Sequence, residues 1–224
     1  MRTETRVIDL AKTEYGTYAP TDTARVIRNT YQLLALSTGV AALGAGVSVL
    51  AGFGPLAGVL LTLLGLVPLF YLSRNRNSAA AVPALLTFTG LSGLGLGPTL
   101  NHYLSLPGGS GTVLSAALMT TAVTLALTAY VHRTGRDFSR MRGFLFAGLV
   151  VVLLASLGAL FVPAMQVGVS AMAALLFAGF ILFDTSRLVR GEEDNYVMAA
   201  CSMYLNVLNL FLSILQLLGL SRDE

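Results

Sequence analysis

Charge is the property this sequence has least of. Only 11% of its 224 residues are charged, against about 25% in a typical soluble domain. A soluble chain of this length would need a polar surface, and these residues cannot build one. A single cysteine, Cys201, excludes an internal disulfide framework; inside an apolar run it reads as a small buried packing residue. The two histidines, His102 and His132, fall in segments assigned below to opposite membrane sides, which excludes a shared metal site. No phosphate loop, zinc-protease motif or cysteine cluster occurs. Ser170 and Ser186 have no histidine–acid company, so a serine nucleophile has no support and the chain does not read as an enzyme. The net charge is only +3, with basic residues in short clusters between apolar runs, which excludes a nucleic-acid face. Residues 1–27 are polar and mixed in sign, with no apolar h-region. They read as a short cytosolic extension without a cleaved signal peptide.

Apolar runs are what the sequence has instead, with 55% of residues hydrophobic. A membrane-spanning helix needs about 20 of them in succession. Seven candidates lie at roughly 31–52, 55–73, 79–100, 111–132, 143–162, 167–187 and 196–219. Pro55 opens the second and suits a first helical turn. The fifth, "FLFAGLVVVLLASLGALF", has no charge. The expectation is an all-α bundle over residues 28–221, with tails at 1–27 and 222–224. The third span is the weakest by composition, because "TGLSGLGLGPTL" would read as a loop in water. In a bilayer it is either a small-residue surface that lets helices approach closely or a stretch of irregular backbone.

The loops alternate. Arg25 and Arg28 precede span one; Arg74 and Arg76, then Arg133, Arg136, Arg140 and Arg142, then Arg187 and Arg190 follow spans two, four and six. The loops near 53, 101–110 and 163–166 hold no lysine or arginine. The positive-inside rule then puts the N-terminus in the cytosol and, after seven crossings, the C-terminus outside. Only Arg222 falls on the outer side. One arginine does not exclude a re-entrant seventh span, but the length of that run favours a full crossing.

Polar residues inside these spans are the functional candidates. Asp184 lies three residues before Arg187, near the cytosolic end of span six. An ionised aspartate costs roughly 2.5–3.5 kcal/mol at a helix centre and less near an end. It reads either as half of a helix-end ion pair with Arg187 or Arg190, or as a carboxylate on a cation or proton path. In span seven, Ser202, Asn206, Asn209, Ser213 and Gln216 are spaced 4, 3, 4 and 3, so they share one face. Lipid is a poor neighbour for carboxamides, so this face should turn inward. It serves as interhelical glue, as the lining of a pore or gate, or as both. Asp194 or Asn195 is placed to cap span seven. The acidic loop "RGEEDN" lacks the ordered spacing of a calcium site.

Three stretches carry a resemblance: "RVIRNTYQLLALS" at 25–37, "FTGLSGLGLGPTLNHYL" at 88–104 and "ILFDTSRLVRGEEDNYVMAACSMYLNVLNLFLSILQLLG" at 181–219. With them the chain resembles the Bax inhibitor-1 family of seven-helix membrane proteins, in particular its bacterial protease-modulating branch. The resemblance implies an N-in bundle in the bacterial inner membrane, with helix seven surrounded by the other six. It implies as partner a membrane-bound ATP-dependent protease complex or its regulators. The residues themselves show no cofactor motif. Some relatives are described as pH-sensitive calcium leak channels, so calcium or protons are the alternative, as transient permeant ions. In those relatives an aspartate on helix six pairs with one on helix seven. Asp184 matches the first, but Asn206 stands where the second is expected, and an Asp–Asn pair has only one titrating group.

Overall fold

The computed structural model describes residues 20–220 and is all-helical there. Seven long helices follow one another: α1 (Pro20–Leu50), α2 (Pro55–Arg74), α3 (Ala81–Leu104), α4 (Gly109–Thr134), α5 (Arg142–Ala159), α6 (Gln166–Val189) and α7 (Tyr196–Leu220). Each contains a segment long and apolar enough to cross a membrane. Single 3-10 turns, Ser139–Met141 and Pro163–Met165, precede α5 and α6. The tail residues 1–19 and 221–224, with Lys12 and Arg222, lie outside the described residues.

Helix ends differ from the apolar runs where a helix outlasts its hydrocarbon stretch. α1 begins at Pro20, inside the stretch assigned to the tail. α3 runs to Leu104, so His102 occupies its last turn and not a loop. Pro55 does occupy the first turn of α2. Left-handed Gly135 (φ 59°) ends α4, donating its N–H to the Val131 carbonyl at 2.8 Å. A residue with a side chain is strained in that conformation.

α7 is the most buried of the seven helices. It packs directly against α1, α3, α4 and α6, while α2 backs onto α3 and α5 onto α6. Two buried clusters flank it. One joins Leu85 and Phe88 of α3 to Ala200, Cys201 and Tyr204 of α7; the other joins Ala116 and Ile181 to Leu210 and Leu215. The outward faces carry exposed leucine and phenylalanine, among them Leu43, Leu63, Phe70, Leu154 and Phe161. That surface fits acyl chains and not water.

The glycine-rich third helix is regular, so the close-contact reading holds and the irregular-backbone reading does not. Along its seam with α1, Gly93 lies against the Ala41 backbone, Gly97 against Ser48, and Gly44 against the Gly90 carbonyl and the Leu94 nitrogen. No side chain fits between these backbones. In lipid, where hydrophobic exclusion does not drive helices together, such van der Waals contact is a principal source of association.

The α2–α3, α4–α5 and α6–α7 connections gather on one face with the start of α1. Asn195 Nδ2 donates to the Arg76 carbonyl and to Asn77 Oδ1, both at 2.9 Å. Arg190 pairs with Asp137 at 3.3 Å. Gly191 lies against Thr23. This arginine-rich face is the reference for depth below.

Candidate functional site

Asp184 lies on α6 five residues before its end, and Ser202 lies on α7 six residues after its start. The helices are antiparallel neighbours, so the two side chains fall at one depth. Ser202 Oγ donates to Asp184 Oδ2, and Asn206 Nδ2, one turn deeper, donates to the same oxygen at 2.8 Å. Asn206 is 7% exposed and Asp184 is half-buried. Hydrogen bonds to a carboxylate are the strong kind, worth ~1.5–3 kcal/mol where a neutral pair gives about 1 kcal/mol. The aspartate thus fixes α6 against α7 about one and a half turns inside the arginine face.

The rest of the stripe stays out of this latch. Asn209 Nδ2 donates to the Leu205 carbonyl and Ser213 Oγ to the Asn209 carbonyl, each at 2.7 Å within α7. Gln216 lines a cavity of about 130 Å³ with Ser156 and Gln166 at the opposite end of the bundle. The five residues share a face, but only two of them reach Asp184.

Of the two readings of Asp184, the helix-end ion pair with Arg187 or Arg190 does not form. Arg187 turns to Glu193 at 3.2 Å, with its guanidinium over the Phe183 ring at 5.7 Å. Arg190 pairs with Glu192 at 2.8 Å and with Asp137. The turn at Gly191 folds the acidic loop back within reach of both arginines, so they are neutralised at the surface and the interior carboxylate is left to neutral donors. Hydrogen bonds from Ser139, and then the Arg190 and Arg140 charges, hold the Asp137 carboxyl below the usual carboxylate range. The Glu192 contact holds Arg190 above its ordinary value, so this surface pair stays ionised at neutral pH.

Two ties around the site have no counterpart in the sequence reading, and a third, at Asn195, has one for its cap alone. Ser186 Oγ accepts from Phe138 N at 3.0 Å and donates to the Arg136 carbonyl at 3.1 Å, pinning α6 to the α4–α5 loop. Tyr31 Oη and His132 Nε2 are 3.1 Å apart, joining α1 to α4. Asn195, besides reaching the α2–α3 loop, caps α7: its Oδ1 accepts from Val197 N at 3.0 Å and Met198 N at 2.9 Å. Only the cap had a signal, as an Asp-Asn pair before an apolar run. Replacing Asn195 with alanine removes the cap and the loop bridge together. A loss of about 1 kcal/mol from the cap alone is expected. Thermal unfolding in detergent would measure it, and an Asn195→Asp variant should keep the cap but lose the bridge.

Among the described residues no three histidine, cysteine, aspartate or glutamate side chains come together as a metal site. Around Asp184 the partners are a hydroxyl and a carboxamide, both neutral groups that donate to one carboxylate oxygen.

A family model described as inhibitor of apoptosis-promoting Bax1 matches residues 23–223, from the first turn of α1 past the end of α7. The chain belongs to the Bax inhibitor-1 family. A membrane protein of Vibrio cholerae serotype O1 is 43% identical over 206 residues, covering 91% of this chain and 92% of the other. The modulator of FtsH protease YccA of Escherichia coli strain K12 is 40% identical over 206 residues, covering 90% and 93%. The inner membrane protein YccA of Escherichia coli O6:H1 matches to the same extent. This member of the Bax inhibitor-1 family is thus a membrane protein homologous, over nearly the whole length of both chains, to an FtsH modulator.

Proposed function

We propose that this chain is a multi-pass protein of the bacterial inner membrane that modulates an FtsH-type ATP-dependent membrane protease through its helix bundle and its N-terminal tail. The 40% identity to the Escherichia coli modulator, over 93% of that protein, carries the reading. The arginine face is the cytosolic side by the positive-inside rule, which puts residues 1–19 and the three cross-tied loops on the side of an ATP-fuelled partner. Mild crosslinking in membranes, followed by purification from detergent, tests this. The full chain should recover the protease, and a chain lacking residues 1–19, which keeps α1 whole, should recover much less. Equal recovery would move the contact to the bundle and loops; no recovery with either chain would remove the reading.

A second reading, a leak path for calcium or protons gated near Asp184, rests on one observation: an intramembrane carboxylate held by neutral donors on an inward polar stripe. Purified protein in liposomes with a trapped calcium dye separates the two. Flux without any partner favours the leak path, and tight vesicles favour the modulator.

A further inference from the structure

In the half of the bundle away from the arginine face, α1 and α4 stand apart and leave a side-open groove of about 430 Å³. One wall carries Thr38, Ala42 and Gly46 of α1, the other Ala117 and Thr121 of α4, and the α7 segment from Tyr204 to Phe211 forms the floor. The volume lies in the range of ligand sites, about 300–1,000 Å³. We propose that this groove holds one acyl chain of a membrane phospholipid from the leaflet opposite the arginine face.

Two features select that occupant. The first is chemistry. No charged residue lines the groove. Its three threonines spend their protons on their own helices: Thr38 on the Leu34 carbonyl at 2.9 Å, Thr120 on Ala116 at 2.7 Å and Thr121 on Ala117 at 2.8 Å. Tyr204 contributes its ring, while its hydroxyl is fully buried. The lumen therefore offers an occupant no exposed donor, and an anion or other acceptor entering it would lose its water without replacement. Hydrocarbon loses nothing.

The second is length. The groove runs along α1 from Thr38 to Val49, next to the helix end at Leu50. Eleven residues at 1.5 Å each give roughly 16 Å, half of the ~30 Å hydrocarbon core. Its inner end is bounded two turns before Thr38, where Tyr31 and His132 join α1 to α4. A partner's transmembrane helix would need a groove through both leaflets. A fatty acyl chain reaches only through its own, entering past Val49 and Leu104 at the open end.

The test uses the full chain in phosphatidylethanolamine–phosphatidylglycerol vesicles doped with a phospholipid bearing a diazirine near one acyl terminus. After irradiation, adducts are mapped by peptide mass spectrometry. Adducts are expected on the floor segment 204–211, saturating at one per chain as the probe fraction rises. Gly46 and Gly39 both have open space where a side chain would begin, but only Gly46 lines the groove. Gly46→Phe should cut floor labelling several-fold, and Gly39→Phe should leave it unchanged. Labelling confined to the outer faces of α2 and α5, or floor labelling that rises linearly with probe, overturns the proposal. So does equal floor labelling in wild type and Gly46→Phe. If Gly46→Phe fails to fold, saturation in the wild-type chain and the milder Ala42→Leu variant decide.

Discussion

Gly93→Leu is expected to leave no folded protein in detergent, and Gly93→Ala to fold with a markedly lowered melting temperature. A methyl at position 93 would overlap the Ala41 carbonyl oxygen and lie 2.7 Å from both the Ala41 carbonyl carbon and Cα. These are backbone atoms of a neighbouring helix, so no rotamer change relieves the overlap and the helices must separate. Separation also opens the Gly44–Gly90 and Gly97–Ser48 contacts along the same seam. Overpacking of a tight interior costs about 1–3 kcal/mol and occasionally more. At the upper end, alanine should lower the melting temperature by roughly 6–12 °C, taking 2–4 °C per kcal/mol for a chain of this size. Gly39→Leu is the control, because a Cβ added at this exposed position meets nothing within 4 Å. Fluorescence-detected gel filtration after a heating series reads all three variants. Wild-type survival of Gly93→Leu would mean that α1 and α3 are not held by this seam.

The same seam marks how far the sequence can be read. Seven apolar runs announce seven helices, and the 4-3-4-3 spacing in α7 announces an inward polar face, because hydropathy and helical period are local properties. The glycines of α3 announce either close contact or a break; only the partner backbone of α1, some fifty residues earlier, decides for contact. Helix ends are less legible. Arg25 and Arg28 end the apolar run but not the helix, since a helix continues unhindered into the polar interface. Asp184 is the hardest case. Arg187, three residues on, is an obvious partner in one dimension. Its loss to Glu193 depends on the fold of the Gly191 turn. The meeting with Ser202 and Asn206 depends on the relative depth of α6 and α7, which no spacing within one helix reveals. Counted from the helix ends, Ser202 matches the depth of Asp184 and Asn206 lies one turn further in, so the carboxylate bridges two levels. The Tyr31–His132 and Ser186–Phe138 ties span 101 and 48 residues and have no local signature.

Asn206→Asp is expected to give the α6–α7 latch a second titrating group, so that its stability falls more steeply as pH rises. In the native pairing, Asp184 is the one titrating group: the Ser202 hydroxyl and the Asn206 carboxamide, neither of which ionises near neutral pH, donate to the same oxygen. The substitution puts a second carboxylate 2.8 Å from the first if the geometry holds. Two carboxylates that close cannot both stay charged without a large repulsion, so the folded variant retains a shared proton that the unfolded chain releases. The sign follows from linkage. Where the folded state binds more protons than the unfolded state, stability falls as pH rises and is fully restored only in acid. The melting temperature of the variant should therefore match wild type most nearly near pH 5 and fall more steeply than wild type's towards pH 8. Asn206→Leu separates titration from packing: it strands Asp184 with Ser202 alone and should destabilise at every neutral pH, by up to about 2 kcal/mol if the bond behaves like other interhelical hydrogen bonds in membranes. Dye-loaded liposomes add the functional half. A leak through this site should become steeply pH-dependent in Asn206→Asp and stay weakly so in wild type. A steep wild-type flux change between pH 6 and 8 that survives Asp184→Asn would place the sensor elsewhere. A flat melting profile for Asn206→Asp would show that the α6–α7 contact is not made through this carboxylate.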